Sequence, residues 1–175
     1  GLLSTKPKII VCNVDENSAS AGNKLSSEVV NMAVEQGAVS VIISAKIEEE
    51  IAALEDEADK ADFLGTLGLE ETGLTRVIRA GYELLHLITF FTVGPKEARA
   101  WTVNKNAKAA QAAGVIHTDF EKGFIKVETI AYDDFINCEG EQGAKEAGKM
   151  RQEGRDYQTQ DCLLYTSPSP RDSDS

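Results

Sequence analysis

Residues 8–14, KIIVCNV, form an unbroken apolar run between Pro7 and the polar stretch DENSASAGN, the pattern of a β-strand covered on both faces. From about Leu25 to Gln36 the residues Leu25, Val29, Val30, Met32 and Ala33 recur at helical spacing, and Gly37 supplies the stop. VSVIIS, residues 39–44, reads as a second buried strand. Strand, helix and strand of this length make one βαβ unit, which implies a parallel sheet and a right-handed crossover. Ile47 to about Leu64 then predicts an acidic helical region with eight carboxylates between Glu48 and Asp62. Such a run is ordinarily a solvated helix face, and it is read so in preference to a metal or basic-partner site. TGLTRVIRAGYELLHL places Leu74, Val77, Ile78, Tyr82 and Leu85 on one stripe with Thr72 as N-cap, the signature of a core-packing helix.

After Leu87 the texture changes. LITFFTV and ARAWTV flank a turn containing Gly94 and Pro95 and predict a hairpin, GFIKVETIAY another strand, and GEQGAKEAGKM a short glycine-broken helix. Falling helix and rising strand signals set a boundary near residue 86, so the expected fold class is α/β over residues 1–85 followed by α+β over 86–161. The last fourteen residues, CLLYTSPSPRDSDS, are dominated by Ser, Pro and Asp and resemble translated cloning or adapter sequence. Residues 162–175 are therefore set apart as a foreign or disordered tail.

Charge separates the same two parts. Residues 1–85 hold 7 basic and 15 acidic side chains, against 10 and 11 in residues 86–160. With a formal net charge of -11 overall, a general nucleic-acid or anionic-membrane surface is excluded, because phosphate binding needs clustered cations. The balance reverses only over 96–126, where Lys96, Arg99, Lys105, Lys108, Lys122 and Lys126 face Glu97, Asp119 and Glu121, and any RNA contact is expected there. Cys12, Cys138 and Cys162 are an odd, widely separated set without metal-ligand spacing, which suits a reducing compartment. No apolar run approaches the ~20 residues that span a bilayer, and a cytoplasmic protein with no membrane partner is expected. Gly1 is not a methionine, and GLLSTKPKIIV reads as a chain entered in mid-domain, the expectation of a fragment.

The candidate chemistry sits at the strand tips. In an open α/β sheet the carboxyl ends of the strands line the ligand crevice. Here those tips carry Asn13-Val14-Asp15-Glu16 and Ser44-Ala45-Lys46, about thirty residues apart, which is one crossover. Alone, either reads as a turn-starting asparagine with a solvated glutamate, or as a chance tripeptide. On consecutive tips they match the places where guanine-nucleotide-binding P-loop proteins carry N-K-x-D and S-A-K turns. In the first of those turns the aspartate accepts from two adjacent donors on guanine. Glu16 in its place, and Val14 in place of the lysine, weaken guanine. The Asn13 amide can still match the N6/N7 edge of adenine, so ATP is favoured over GTP.

Three longer stretches carry a resemblance: VIISAKIEEEIAALEDE (41–57), residues 63–103 from FLGTLGLEETG to ARAWTV, and KAAQAAGVIHTDFEKGFIKVETIAYDDF (108–135). They resemble the Obg-like ATPase family in its bacterial YchF branch, over nearly all of Leu3 to Asp161. The resemblance implies a partial P-loop NTPase domain followed by a TGS domain, a β-grasp module. It also implies ATP binding and hydrolysis with GTP possible, Mg2+ as cofactor of the full-length family, and a ribosome as partner. By the same resemblance Asn13, Val14 and Glu16 match the base-specificity turn, and Ser44, Ala45 and Lys46 the second base loop. His117-Thr118-Asp119 matches a TGS signature and is read as structural. No G-x-x-x-x-G-K-[ST] loop, magnesium-binding Ser/Thr or Walker-type aspartate occurs, so turnover by this chain alone is not expected and no catalytic residue is assigned. Family members continue beyond a Q-D such as Gln160-Asp161 with a glycine turn and a last, central strand. With residues from Cys162 onward set aside, that strand is expected to be missing and its neighbours unpaired. The alternative function is a non-enzymatic ribosome- or RNA-binding module using Lys105, Lys108, Lys122 and Lys126. A flavodoxin-like or Rossmann cofactor domain ranks last, for want of a glycine-rich fingerprint.

Overall fold

The run after Pro7 forms strand β1 (Ile9–Asn13), and VSVII forms β2 (Val39–Ile43). They pair in parallel, with Ile9 opposite Val39 and Asn13 opposite Ile43. This computed structural model describes residues 2, 5–94 and 97–166, in two units, residues 1–85 and 86–175.

In the first unit, α1 (Lys24–Glu35) starts in a reciprocal cap: Ser26 N–H donates to Asn23 Oδ1 at 2.9 Å, and Asn23 N–H to Ser26 Oγ at 2.8 Å. Gly37, at φ +63°, ends the segment in the left-handed conformation glycine tolerates. The acidic region is two helices rather than one, α2 (Ala45–Ala52) and α3 (Glu57–Thr66), because Asp56 caps the second by accepting from Ala58 N–H at 2.7 Å. A small core of Ala19, Ile47, Ile51 and Leu64 lies between them. Helix α4 (Gly73–Leu84) begins at Thr72, whose hydroxyl accepts from Thr75 N–H at 3.0 Å.

Two burial expectations are corrected. β1 is not covered on both faces, since Val11 is 44% exposed, and the α4 stripe is not buried, since Leu74 is 62% exposed and Ile78 and Leu85 are also exposed. A two-stranded sheet offers one narrow surface to each helix, and the buried residues of α4 are the small Gly73 and Ala80, while Val77 and Tyr82 are half-buried.

The second unit is a five-stranded mixed sheet in the order β4-β3-β7-β5-β6. Its elements are β3 (Leu87–Val93), β4 (Ala98–Asn104), α5 (Ala109–Ile116), α6 (Thr118–Lys122), β5 (Lys126–Ala131), α7 (Tyr132–Asn137), α8 (Glu141–Glu146), β6 (Arg151–Gly154) and β7 (Leu163–Thr166). β3 and β4 form the expected antiparallel hairpin; of its turn, Pro95 and Lys96 lie outside the described residues. On one face α5 packs Ala109 and Ala112 against Ile88, Phe90, Val103, Val127, Leu163 and Tyr165. On the other, Ala144 of α8 joins Ile130 and Leu164.

The tail boundary at 162 is also corrected. Residues 163–166 are the central strand, parallel to β3 and antiparallel to β5. Successive side chains of a strand face opposite sides, so Leu163 and Tyr165 enter one core cluster and Leu164 the other, all at 3% exposure or less. The neighbours are therefore paired, and the expected loss of ladder bonds does not occur. A four-residue apolar segment is too short to show in composition when serine, proline and aspartate follow it. Residues 167–175 of the expected tail lie outside the described residues.

The turn into β7 is held by three bonds. Asp161 Oδ1 accepts from Thr89 N–H at 2.8 Å, Cys162 N–H donates to Thr89 O at 2.8 Å, and Tyr132 N–H donates to Cys162 O at 3.2 Å. Cys162 itself sits at φ +54° with an exposed side chain. An L-residue there carries a steric cost of about 1–2 kcal/mol, which glycine avoids. Cys162→Gly is expected to stabilise the second unit by about 0.5–1 kcal/mol, read as a higher urea midpoint; an unchanged or lower midpoint would remove the backbone-strain account.

Candidate functional site

Parallel pairing delivers both strand ends to the same rim of the first unit. Past the last paired residues, Val14 N–H donates to Ile43 O at 2.8 Å, so the ladder continues into the turn. Asn13 Oδ1 accepts from Ala45 N–H at 3.0 Å, a bond between residues 32 positions apart. Asp15 caps the short 3-10 turn Glu16–Ser18 by accepting from Ser18 N–H at 3.0 Å and Ser18 Oγ at 2.9 Å. That turn swings Glu16 back, and its Oε1 lies 2.6 Å from Lys46 Nζ. The hydrogen bond to Glu16, and then its negative charge, raise the Lys46 pKa above the ordinary lysine value. Asn13, Val14 and Glu16 of one tip are thus tied to Ile43, Ala45 and Lys46 of the other.

Ser44 differs from its neighbours. It is 2% exposed, it opens α2 without a side-chain capping bond, and its Oγ has no hydrogen-bond partner among the described residues. A buried hydroxyl left unpaired costs about 1–3 kcal/mol. The Asn13 oxygen is already engaged with Ala45, so Nδ2 is the group left whole for a ring nitrogen. The two-point match of this amide to adenine N6/N7 is correspondingly narrowed. An open cleft of about 260 Å³ runs beside β1 and the start of α1; Asn13 and Val14 line it, whereas Ser44, Ala45 and Lys46 do not.

Two supporting residues escape the sequence reading. Asp15 falls within the first tip motif without a role of its own, although an aspartate three residues before a serine is a recognisable cap. Glu48 is submerged in the acidic run. Its carboxylate accepts from Gly73 N–H at 2.7 Å and Leu74 N–H at 3.1 Å, placing a negative charge at the start of α4 where the helix dipole favours it. A Cβ on Gly73 would meet Ile43 Cγ2 at 2.8 Å and Glu48 Oε1 at 2.9 Å. Gly73→Ala is therefore expected to cost about 1–3 kcal/mol, measured by denaturant unfolding of the first unit; a loss within ~0.5 kcal/mol would show that the contact relaxes freely.

The cationic segment of the second unit is less uniform than its sequence. Lys105, Lys108, Lys122 and Lys126 are all exposed. Lys108 Nζ lies 2.6 Å from Asp156 Oδ1, which lowers the Asp156 pKa, and Lys126 Nζ donates to Gln152 Oε1 at 3.2 Å. Arg99 stacks 4.2 Å from the ring centroid of Trp101, whose Nε1 donates to Thr92 Oγ1 at 2.9 Å. Lys96 lies outside the described residues. His117 caps α6, its Nδ1 accepting from Asp119 N–H at 3.3 Å, which is a structural role. Among the described residues no group of three or more His, Cys, Asp or Glu is arranged to hold a metal, and no helix is long and apolar enough to cross a membrane.

A parallel strand pair with bonded tips, followed by a mixed sheet, is the mixed α/β architecture of YchF GTPase structures. The Schizosaccharomyces pombe YchF GTPase superposes with a TM-score of 0.76 at 32% identity, over 91% of this chain and 43% of that one. A GTP binding protein from Pyrococcus horikoshii OT3 shares the fold, at a TM-score of 0.59 and 21% identity over 92% of this chain and 45% of its own. Residues 87–165 match the family YchF-GTPase_C, described as "Protein of unknown function (DUF933)". The "Ribosome-binding ATPase YchF" of Haemophilus ducreyi is 59% identical over 159 residues, 91% of this chain and 43% of the relative. That of Bacillus subtilis is 48% identical over 162 residues, 91% of this chain and 44% of the relative. The chain is thus similar to YchF proteins over 91% of its length, and it spans somewhat under half the length of these relatives.

Proposed function

We propose that residues 1–85 supply the base-recognition part of a purine-nucleotide site, with ATP preferred over GTP, in a cytoplasmic, ribosome-associated P-loop ATPase. The observation that carries this reading is the 3.0 Å bond from Ala45 N–H to Asn13 Oδ1, which fixes the two tips as one rigid rim. Asn13 Nδ2 is then the donor for a ring nitrogen, and the Glu16–Lys46 pair that spans the same two tips supplies further polar groups. The names of the relatives support nucleotide hydrolysis and ribosome binding, and both are proposals for this chain.

The residues present do not fit a phosphate or magnesium site. The sequence has no G-x-x-x-x-G-K-[ST] loop, and the described residues offer no three-ligand metal cluster. No hydrolytic step is assigned to these 175 residues.

The test is an NMR titration of the isotope-labelled chain with AMP and, separately, GMP. AMP is expected to shift the amides of Asn13, Ala45 and Lys46 at lower concentration than GMP. Shifts elsewhere only, or a preference for GMP, would overturn the reading.

A second reading rests on the second unit, taken as a TGS-type β-grasp domain that contacts the ribosome. Lys105 and Lys122 are exposed, and no ion pair holds them among the described residues. Lys105→Glu with Lys122→Glu is expected to lower ribosome cosedimentation and flatten its salt dependence by about two charges' worth of slope. Unchanged cosedimentation would exclude these lysines.

A further inference from the structure

We propose that Lys46 is a specificity-positioning residue, which selects adenine over guanine by occupying one oxygen of Glu16. The proposal rests on the base-site reading above and names what sets its preference.

A free glutamate presents two equivalent acceptors side by side, and guanine's edge presents two adjacent donors; the extra length of Glu16 weakens guanine without by itself favouring adenine. Adenine presents a donor, the N6 amino group, beside a ring-nitrogen acceptor. Two carboxylate oxygens match only half of that edge.

In the structure Glu16 is encumbered. Lys46 Nζ sits 2.6 Å from Oε1, leaving Oε2 as the free acceptor. The ammonium has three donors and uses one on Glu16, so the pair together displays an acceptor next to a donor. That is the complement of adenine's edge and a mismatch for guanine's, where the ammonium would face a donor. Both side chains are partly solvent-exposed, at 63% for Lys46 and 41% for Glu16, so a base can reach them. The two tips that carry them are joined by the Asn13–Ala45 and Val14–Ile43 bonds. Glu49 and Glu50 also bear on the ammonium electrostatically, but the 2.6 Å contact is with Glu16.

Lys46→Met keeps the aliphatic stem and removes the cation, and Lys46→Arg keeps a cation with donors to spare. Titrated with AMP and GMP as above, Lys46→Met is expected to lower the AMP-over-GMP affinity ratio by about three- to tenfold, and Lys46→Arg to keep it within about twofold of the parent. Melting temperatures of all three proteins are expected to coincide, because an exposed side chain contributes little to folding. A parent ratio retained in Lys46→Met overturns the role given to Lys46 while leaving the base site standing. Absence of binding by the parent chain itself overturns the base site, and this proposal with it.

Discussion

A chain shortened to end at Asp161 is expected to lose the fold of its second unit. Leu163, Leu164 and Tyr165 are buried in both core clusters at once. Losing buried side chains of this size costs about 2–5 kcal/mol each, and the facing edges of β3 and β5 would lose their ladder partner. The sum reaches the whole stability of an ordinary domain, about 5–15 kcal/mol. The readout is amide dispersion of β3 and β5 in an NMR spectrum; native-like shifts in the shortened chain would show that β7 is dispensable.

A gentler probe of the same strand is alkaline titration. Burial pushes the Tyr165 phenol up to about 12, against the opposing hydrogen bond with Thr159, whose Oγ lies 2.7 Å from the phenol oxygen. The folded pKa is raised above the unfolded value of about 10. The associated stability is therefore complete below pH ~10 and lost as pH rises toward ~12. Tyr165→Phe is expected to remove that alkaline slope, while costing about 1–2 kcal/mol at neutral pH through the stranded Thr159 hydroxyl. A slope that survives in Tyr165→Phe would assign it to another group.

Asn13→Ala is expected to abolish the AMP-induced shifts at residues 44–46, a weakening of about thirtyfold or more. The substitution removes the Nδ2 donor and also frees Ala45 N–H from its 3.0 Å acceptor. Asn13→Asp separates the two effects, since it keeps an oxygen for Ala45 and loses only the donor. If the donor matters, AMP binding by Asn13→Asp falls nearly as far as in the alanine variant while the tips stay joined, seen as an unshifted Ala45 amide. Full AMP binding by Asn13→Ala would remove Asn13 from the site.

Some of the fold is legible in the sequence because it follows from short-range rules. The β3–β4 hairpin is announced by Gly94 between two β-rich runs, and the adjacency of Asn13 and Ser44 by a single crossover of helical length. Side-chain pairing across the tips is not, because the approach of Lys46 to Glu16 depends on the 3-10 turn that Asp15 caps, and periodicity contains no such turn. Burial is misjudged for a different reason. The spacing of Leu74, Ile78 and Leu85 defines a stripe correctly, but whether a stripe is covered depends on how many strands lie beneath it. β7 is hidden by its surroundings, a four-residue apolar strand overshadowed by the polar residues that follow.

The place of β7 also constrains how the second unit comes into being. β3 and β4 form a hairpin, and β5 and β6 pair across the segment that carries α7 and α8, yet β3 and β5 each have only one side of their ladder filled until residues 163–166 arrive between them. During synthesis the two strand pairs must wait, with edges open to other chains, for one short strand that begins 70 positions after β3 ends. Nascent-chain protection by a chaperone would act in that interval, and closing of the sheet would come as a single late step.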